Sequence, residues 1–194
     1  MAYTVRELGR RTFADFEILA EQQGSCWCIF YQRAKPAGRG LSPAEQRRIN
    51  RRDKAAFVRE GRSHAILVYD GRTPVGWCQY GPREELPRID KQRDYQGRAP
   101  QGPEKLWRIT CFAVLKPYRK RGVASAALRA ALEAIRRGGG GLVEAYPITR
   151  WLTRAFGNES THGTESMFVK AGFQRVGRFG STRYSSHVLM RKTV

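Results

Sequence analysis

The pattern of hydrophobic and polar positions is most informative between residues 106 and 137. The segment Leu106–Leu115 is an apolar run rich in residues that favour β-structure, which predicts a strand buried on both faces. The next segment, Val123–Arg137, predicts an amphipathic helix, because apolar residues recur at helical spacing at Val123, Ala127, Leu128, Ala131, Leu132 and Ile135. A strand, a short turn and a helix therefore follow one another here.

The turn between that strand and that helix is basic and has one glycine, in the sequence Arg119-Lys120-Arg121-Gly122-Val123-Ala124. At a helix N-terminus, free backbone N–H groups and the helix dipole both point at a bound negative group. The three cations add long-range attraction, and Gly122 lets the backbone approach a ligand closely. The turn is therefore predicted to bind an anion.

Shorter patterns predict the elements on either side. Before residue 106 they indicate an edge strand at Tyr3–Leu8 and a helix from Thr12 to about Gln22. They also indicate a second helix, opened by a capping box, from Ser42 to about Glu60, and a β-hairpin formed by His64–Tyr69 and Thr73–Tyr80. After residue 137 they indicate a buried strand at Leu142–Ile148 and a short helix at Thr164–Ala171. They also indicate a hairpin around Gly180-Ser181, formed by Gln174–Phe179 and Tyr184–Arg191. The remaining segment, Gly81–Glu104, is long for a structureless loop, so it is either functional or a disordered insertion.

Length, charge and composition limit the class of protein to which the chain can belong. At 194 residues, the chain is predicted to be one domain, residues 1–194. Its net charge of +19 favours anionic ligands, although an arginine-rich solvated surface explains the charge equally well. It has no apolar run of membrane-spanning length and no signal-peptide pattern, so we expect a cytoplasmic protein that does not contact a membrane.

The four cysteines lie in apolar contexts, at Cys26, Cys28, Cys78 and Cys111. In an intracellular chain they are predicted to be reduced thiols. A tetrahedral zinc site is the alternative, but their spacing fits no standard zinc motif, so no metal site is predicted. A cysteine nucleophile at Cys111 is a further alternative, but no histidine lies near it in the sequence.

The segment from residue 106 to 137 resembles the acetyl-CoA-binding motif of the GCN5-related N-acetyltransferase (GNAT) superfamily. The family pattern Arg/Gln-x-x-Gly-x-Gly/Ala is present as Arg119-x-x-Gly122-x-Ala124, between a strand and a helix. A Rossmann turn is disfavoured because G-x-G-x-x-G is missing. The resemblance implies an α/β fold with a mixed, mostly antiparallel central sheet that is splayed at its centre and flanked by helices.

The resemblance also implies where acetyl-CoA binds. The turn would hold the pyrophosphate and the strand before it would pair with the pantetheine arm. The expected coenzyme-binding residues are Phe112, Ala113, Val114, Arg119, Lys120, Arg121, Gly122, Val123, Ala124 and Ser125. Acetyl-CoA would serve as co-substrate, and no metal is implied.

A second resemblance covers Met167–Phe173, where many family members carry a tyrosine that protonates the departing thiolate. This chain has Phe168 at that position, and Ser166, Tyr146 or water would have to assist instead. The candidate base is Glu144, because a carboxylate in an apolar strand needs an explanation. An ion pair with an arginine is the alternative for Glu144. A histidine, His162, could act only if its loop folds over the site.

The predicted function is direct transfer of an acetyl group from acetyl-CoA to the amine of a small molecule or a protein. Such a reaction needs a donor for the developing oxyanion, predicted near Val114 on the central strand, and an acceptor amine that loses a proton. The segment Gly81–Glu104 would then be an acceptor-side loop. Two alternatives stay open: acetylation of aminoacyl-tRNA, and an acyl-CoA-binding module without catalysis. Nucleic acid is a partner that is not favoured, and a homodimer is left open.

Overall fold

A single seven-stranded sheet dominates the computed structural model, which describes residues 3–23, 26–35, 37–38, 40–102, 104–149, 162–179 and 187–194. The strand order is β1-β2-β3-β4-β5-β7-β6, and every neighbouring pair is antiparallel except β4 with β5. The strands are β1 Thr4–Glu7, β2 His64–Asp70, β3 Thr73–Pro82, β4 Leu106–Val114, β5 Leu142–Ala145, β6 Gln174–Phe179 and β7 His187–Thr193.

Five α-helices flank the sheet within the described residues: α1 Phe13–Gln23, α2 Pro43–Arg59, α3 Arg93–Gln96, α4 Val123–Arg137 and α5 Glu165–Lys170. The predicted capping box of α2 is confirmed, because the Ser42 side chain accepts from the Glu45 backbone N–H while the Glu45 carboxylate accepts from Ser42. The predicted bounds of α4 are also confirmed.

The centre of the sheet is splayed. Strands β4 and β5 are paired in parallel only over Leu106–Ile109 and Leu142–Ala145, whereas β4 continues to Val114. On its other side, β4 pairs with β3 through a bulge, since the register shifts between Gln79 and Tyr80 and leaves Thr110 without a partner position. The predicted mixed, mostly antiparallel and splayed sheet is therefore confirmed.

Strand β4 alternates between two hydrophobic clusters on the two faces of the sheet. Phe112 and Val114 pack in the cluster that contains the apolar side of α4. Cys111 and Ala113 pack in a second cluster with α1 and the start of the loop at residues 26–35. The continuous apolar pattern of β4 arises because both faces are covered. The exposed end of β4 at the splay therefore borders both faces of the sheet.

Some boundaries differ from the sequence predictions. Strand β5 ends at Ala145, three residues before the predicted end at Ile148. Ile148 itself forms isolated β-bridges to Thr164 and His187. The segment Gly81–Glu104 was predicted to be a loop or a disordered insertion, but it contains a 3₁₀ turn and α3. It buries Leu86, Ile89 and Tyr95 in a third cluster against β5–β7. The predicted turn at Gly180-Ser181 lies outside the described residues.

Candidate active site

A cavity of about 330 Å³ opens between the end of β4 and the start of α4. We call it the β4–α4 cavity, and its lining is Gln23, Phe112, Ala113, Val114, Tyr118, Arg119, Lys120, Gly122, Val123, Ala124, Ser125, Gly163, Thr164 and Met167. It brings together the residues expected to bind coenzyme A, with the exception of Arg121, which is exposed on the turn. The strand and the turn of the sequence motif thus border one continuous space.

The turn has the geometry of an anion site. Gly122 is the N-cap of α4 with φ +85°, and no side chain caps the helix there. The first N–H groups of α4 are therefore left for solvent or a ligand. Lys120 also has positive φ, at +60°, so two of three consecutive residues of the turn adopt the left-handed conformation. A Cβ at Gly122 would contact nothing within 4 Å, so its requirement for glycine comes from φ and not from packing.

One backbone carbonyl of β4 at the cavity already accepts hydrogen bonds from side chains. The Val114 carbonyl accepts from Gln23 Nε2 at 3.4 Å and from Arg119 Nε at 3.3 Å. Both bonds are long for N–H···O contacts, so they are weak. An amide group bound along β4 could take the place of either side chain without a large cost in hydrogen bonding.

A second cavity, of about 180 Å³, lies at the inner end of the splay. We call it the thiol cavity, and it is lined by Cys26, Cys28, Phe30, Tyr31, Thr110, Cys111 and His162. Along β4, Thr110 and Cys111 of this cavity are followed at once by Phe112 of the first, and His162 is likewise followed by Gly163. The linings of the two cavities are therefore consecutive along the same two chain segments.

Cys28 is a buried thiol in the lining of this cavity. Its Sγ accepts a hydrogen bond from Trp77 Nε1 at 3.1 Å. Burial raises the pKa of Cys28, but the neighbouring Cys111 thiol, the Lys54 ammonium and the Trp77 N–H together lower it below the ordinary thiol value. The neighbouring Cys28 thiol and burial raise the pKa of Cys111.

Lys54 on α2 is fully buried near these thiols. Its Nζ donates to the side-chain carbonyls of Gln32, at 3.0 Å, and Gln79, at 2.9 Å. Burial lowers the pKa of Lys54 to about 8, although the nearby thiols act in the opposite direction. An ammonium held by neutral amides keeps much of its field available to the groups around it, here Cys28 and Cys111.

His162 lies in the lining of the thiol cavity. Its ring lies 4.7 Å from that of His187, centroid to centroid, and 6.3 Å from that of Tyr31. Burial and the neighbouring His187 lower the pKa of His162 to about 4. The imidazole is therefore neutral at pH 7, and its surroundings disfavour protonation.

Glu144 is buried at the centre of an ion-pair network on β5. Arg191 donates to its Oε1 from Nε at 3.0 Å and from Nη2 at 2.8 Å, and the hydroxyls of Tyr95 and Tyr146 donate to Oε2 at 2.7 and 2.8 Å. The Nε of Arg108 lies 3.7 Å from the same Oε2. The arginine ion pair, the alternative role for this residue, is thus present. The base role stays a prediction, and these contacts argue against it.

The other candidates for acid–base chemistry lie apart from the two cavities. Tyr146 is buried and directed at Glu144, and Ser166 Oγ lies 3.2 Å from Thr164 Oγ1, which lines the β4–α4 cavity. Phe168, where a family tyrosine is expected, is fully buried and packs edge-on against Phe112. Among these, only Ser166 has a polar path to the β4–α4 cavity, through Thr164.

Sequence reasoning missed the burial of Lys54 near the thiols and the position of Thr110 in the lining of the thiol cavity. Lys54 stands on a helix with many exposed charges, although Asn50, Lys54 and Val58 share its buried face at four-residue spacing. That spacing is a signal that could have drawn attention to the lysine. Thr110 lies at the bulge, which depends on pairing with β3 and leaves no mark in the local sequence.

Two searches of the described residues bear on ligands and membranes. No group of three or more histidine, cysteine, aspartate or glutamate side chains in the described ranges is arranged to hold a metal ion. Within the same residues, no helix combines the length and apolar character needed to cross a membrane.

Comparison with known proteins identifies the fold. Solved structures similar to this chain include "histone acetyltransferase HPA2 and related acetyltransferase" from Corynebacterium glutamicum, at 18% identity and a TM-score of 0.59 over 99% of this chain and 96% of that one. PaiA N-acetyltransferase from Thermoplasma acidophilum, in complex with coenzyme A, is similar at 12% identity and a TM-score of 0.56 over 100% of both chains. NAA60 from Arabidopsis thaliana, in complex with acetyl-CoA, is similar at 15% identity and a TM-score of 0.53 over 100% of this chain and 99% of that one.

The family is identified by sequence as well as by fold. A search of curated proteins found no match. A family model described as "Acetyltransferase (GNAT) family" matches residues 27–150, which is more than half of the chain and includes β4, the basic turn and α4. With the splayed sheet and the cavity at the N-terminus of α4, this match confirms the resemblance, and the chain belongs to the acetyltransferase (GNAT) family.

Proposed function

We propose that this protein transfers an acetyl group from acetyl-CoA to an amine that binds in the thiol cavity. One observation carries the proposal: the linings of the two cavities are consecutive on β4 where the strand leaves β5, and the lining of the first includes the basic turn before α4. A thioester held from the turn toward the splay would meet an acceptor coming from the thiol cavity. Holding both reactants in line supplies much of the catalysis in acyl transfer.

Each part of the β4–α4 cavity has a role in this proposal. The α4 N-terminus at Gly122 would bind the pyrophosphate, with Arg119 and Lys120 adding charge. The free edge of β4 over Phe112–Val114 would pair with the pantetheine amides. The acetyl group would then lie nearer Thr110 and Cys111 than Val114, which moves the proposed oxyanion donor toward the bulge. A bulge re-aims backbone and side-chain groups, as an oxyanion donor requires.

The acceptor must be neutral to attack. His162 borders the thiol cavity, but a pKa of about 4 makes its imidazole a weak base, so we propose that water accepts the amine proton. The thiol cavity is lined by thiols, aromatic rings, a hydroxyl and an imidazole, with Lys54 buried near the thiols and Arg88 stacked on Phe30. These surroundings favour an uncharged or weakly basic amine over a polycation.

The experiment is an acetyl-transfer assay with acetyl-CoA and a panel of aromatic, aliphatic and peptide α-amines. Release of the CoA thiol is followed together with mass detection of the N-acetyl product, and acetyl-CoA affinity is measured on the same preparation. The proposal predicts acetyl-CoA binding and product formation that is fastest with weakly basic amines. Protein that binds acetyl-CoA but acetylates no member of the panel would favour the alternative of a binding module without catalysis.

A further inference from the structure

Aromatic rings and thiols make up most of the described lining of the thiol cavity. Three of these residues carry rings, Phe30, Tyr31 and His162, and three more are cysteines. The Tyr31 ring is edge-on to both other rings, with its centroid 5.0 Å from that of Phe30 and 6.3 Å from that of His162. Edge-on rings attract one another, and sulfur atoms make favourable contacts with aromatic rings. A further aromatic ring is therefore a well-matched guest for this space.

The volume of the cavity limits the size of that guest. The thiol cavity measures about 180 Å³. An engineered apolar cavity of about 150 Å³ in another protein stays dry and takes up benzene. One six-membered ring with an amino group therefore fills the thiol cavity, whereas a second fused ring would extend beyond its lining. The larger cavity borders the basic turn and is assigned to the coenzyme, which leaves this one to the acceptor.

The charges around the thiol cavity disfavour a protonated amine. Lys54 is fully buried, and its Nζ donates to the side-chain carbonyl of Gln79 at 2.9 Å. Gln79 is the register partner of Cys111, so this ammonium lies on the side of the sheet that borders the cavity. The Arg88 guanidinium adds a second cation, 3.7 Å from the centroid of the Phe30 ring. No carboxylate is among the described lining residues, so an alkylammonium would meet like charge without compensation.

A hydroxyl without a partner stands on the side of the cavity that leads to the coenzyme. Thr110 is 2% exposed, and its Oγ1 makes no hydrogen bond to the described residues. Thr110 is the first residue of β4 beyond the pairing with β5, and the bulge places it beside Cys111 in the same lining. A buried hydroxyl without a bond costs free energy, which a bound N–H group would recover. Rotation about χ1 can bring Oγ1 to such a ligand.

From these features we infer that the acceptor is an arylamine with a single ring, which lies among Phe30, Tyr31 and His162 with its nitrogen at Thr110 Oγ1. This inference rests on the proposed function, because acetyl-CoA must occupy the β4–α4 cavity, and it names the class of amine. An arylamine is neutral at pH 7, because its ring delocalises the nitrogen lone pair. It therefore enters without a counter-ion and needs no base before it attacks.

The transfer step balances without a further reagent. The arylamine nitrogen attacks the thioester carbonyl carbon, while one of its N–H groups donates to Thr110 Oγ1 and so directs the lone pair at that carbon. The C–S bond to CoA breaks, and the nitrogen, which is now positively charged, releases its proton to water. The products are the N-aryl acetamide, the CoA thiolate and a hydronium ion.

Three amines separate the effects of ring size and charge. Aniline, cyclohexylamine and 1-naphthylamine are compared in the acetyl-transfer assay at pH 7. Cyclohexylamine has a ring of the same size but is protonated, and 1-naphthylamine is a neutral arylamine with a second ring. We expect kcat/KM to be at least about tenfold higher for aniline than for either of the others. Equal or higher activity with cyclohexylamine or 1-naphthylamine would overturn the inference and leave the proposed function standing.

Binding is measured independently of turnover. Aniline is titrated by ligand-observed NMR into protein saturated with CoA, and alkylation of Cys26 by N-ethylmaleimide is followed at the same aniline concentrations. Cys26 is exposed and lines the thiol cavity, so aniline is expected to slow its alkylation with the dissociation constant that NMR gives. Absence of aniline binding, or unchanged alkylation at saturating aniline, would overturn the inference. Aniline that binds and protects Cys26 but is never acetylated would support the arylamine site and contradict the proposed function.

Variants test the hydroxyl. Thr110→Val removes Oγ1 and keeps the side-chain shape, Thr110→Ser keeps the hydroxyl, and Thr73→Val makes the same change at an exposed position of β3. Thr110→Val is expected to lower kcat/KM for aniline about two- to tenfold, as for one neutral hydrogen bond, with unchanged acetyl-CoA affinity. Thr110→Ser and Thr73→Val should retain it.

Stability distinguishes this role of Thr110 from a structural one. The free protein makes no described hydrogen bond to Oγ1, so Thr110→Val should unfold no more readily than the wild type in denaturant. Unchanged aniline kinetics in folded Thr110→Val, or a fall in kcat/KM accompanied by a lower unfolding free energy, would overturn the role inferred for Thr110. The aniline titration and the Cys26 protection use wild-type protein, so they test the inference even if Thr110→Val does not fold.

Discussion

At the scale of single residues, Glu144 illustrates how surroundings decide a role. The same carboxylate that an apolar strand suggests as a base accepts four hydrogen bonds, from Arg191, Tyr95 and Tyr146. Its neighbours on the paired strands, Arg108 and Arg191, are positioned opposite it in the sheet register. Both carboxylate oxygens are therefore engaged by protein donors, and Glu144 lines neither the β4–α4 cavity nor the thiol cavity.

Glu144→Gln is therefore expected to act mainly on stability. The amide leaves Arg191 and the buried Arg108 without full compensation, and removal of one partner from a buried pair costs about 3–5 kcal/mol. Denaturant unfolding should show this loss, and Glu133→Gln, at an exposed position on α4, should not. A large fall in turnover of Glu144→Gln with unchanged unfolding free energy would instead support the base role.

Lys54 gives a prediction about pH. Its pKa is lowered by burial from 10.5 to about 8, so between these pH values the folded protein binds fewer protons at Lys54 than the unfolded chain does. The contribution of this group to the unfolding free energy therefore rises with pH across that interval. In Lys54→Met this rise should be missing, whereas Lys91→Met, at an exposed lysine, should keep it. Parallel stability–pH curves for wild type and Lys54→Met would contradict the assignment.

At the scale of elements, the segment after β3 contacts the loop at residues 26–35. The Arg88 guanidinium lies 3.7 Å from the centroid of the Phe30 ring, and the Arg88 backbone N–H donates to the Tyr31 carbonyl. Phe30 and Tyr31 line the thiol cavity. Any effect of residues 81–104 on acceptor binding would therefore be indirect, because this segment contacts the loop at residues 26–35, and that loop lines the thiol cavity.

Arg88→Ala should raise the KM for the acceptor several-fold and leave the acetyl-CoA dissociation constant unchanged. The physical reason is loss of one cation–π contact, worth about 0.5–1 kcal/mol at an exposed site, which frees the Phe30 ring. Steady-state kinetics with both substrates would measure the effect, with Arg93→Ala, at an exposed position on α3, as control. An equal change in both constants would argue against this division of roles.

The elements that sequence predicted well are those set by local signals. Ser42 and Glu45 define the start of α2, and the apolar spacing of residues 123–137 defines α4, since capping and periodicity act within a few residues. The anion turn followed from the same local pattern. The thiol cavity did not, because it joins the loop near Cys28, the bulge at Thr110 and His162, which only the tertiary fold brings together.

At the scale of the whole molecule, the net charge of +19 bears on the nucleic-acid alternative. Exposed arginines gather on one helix, α2, at Arg47, Arg48, Arg51, Arg52 and Arg59. A surface of this kind attracts any polyanion without reading its sequence. The charge therefore predicts RNA affinity that depends strongly on salt, whether or not RNA is the acceptor.

Charge reversal on α2 should separate these alternatives. Arg47→Glu with Arg48→Glu should weaken RNA binding and reduce the salt slope of log K by about 0.7 for each lost contact to a single strand. Acetylation of a small amine should be unchanged, because neither residue lines a cavity that the structure describes. Acetylation of aminoacyl-tRNA that is lost in this variant, with no small amine accepted by the wild type, would favour the tRNA alternative.

The central claim is that the turn at the N-terminus of α4 holds the acetyl-CoA phosphates, and calorimetry on Gly122→Glu tests it most directly. Gly71→Glu is a matched control, because Gly71 also has positive φ, +59°, and open space around its Cβ, but lies in the β2–β3 turn. The account predicts that wild type and Gly71→Glu bind acetyl-CoA, while folded Gly122→Glu does not, since bulk and negative charge meet the phosphates. Wild-type acetyl-CoA affinity in folded Gly122→Glu would contradict it.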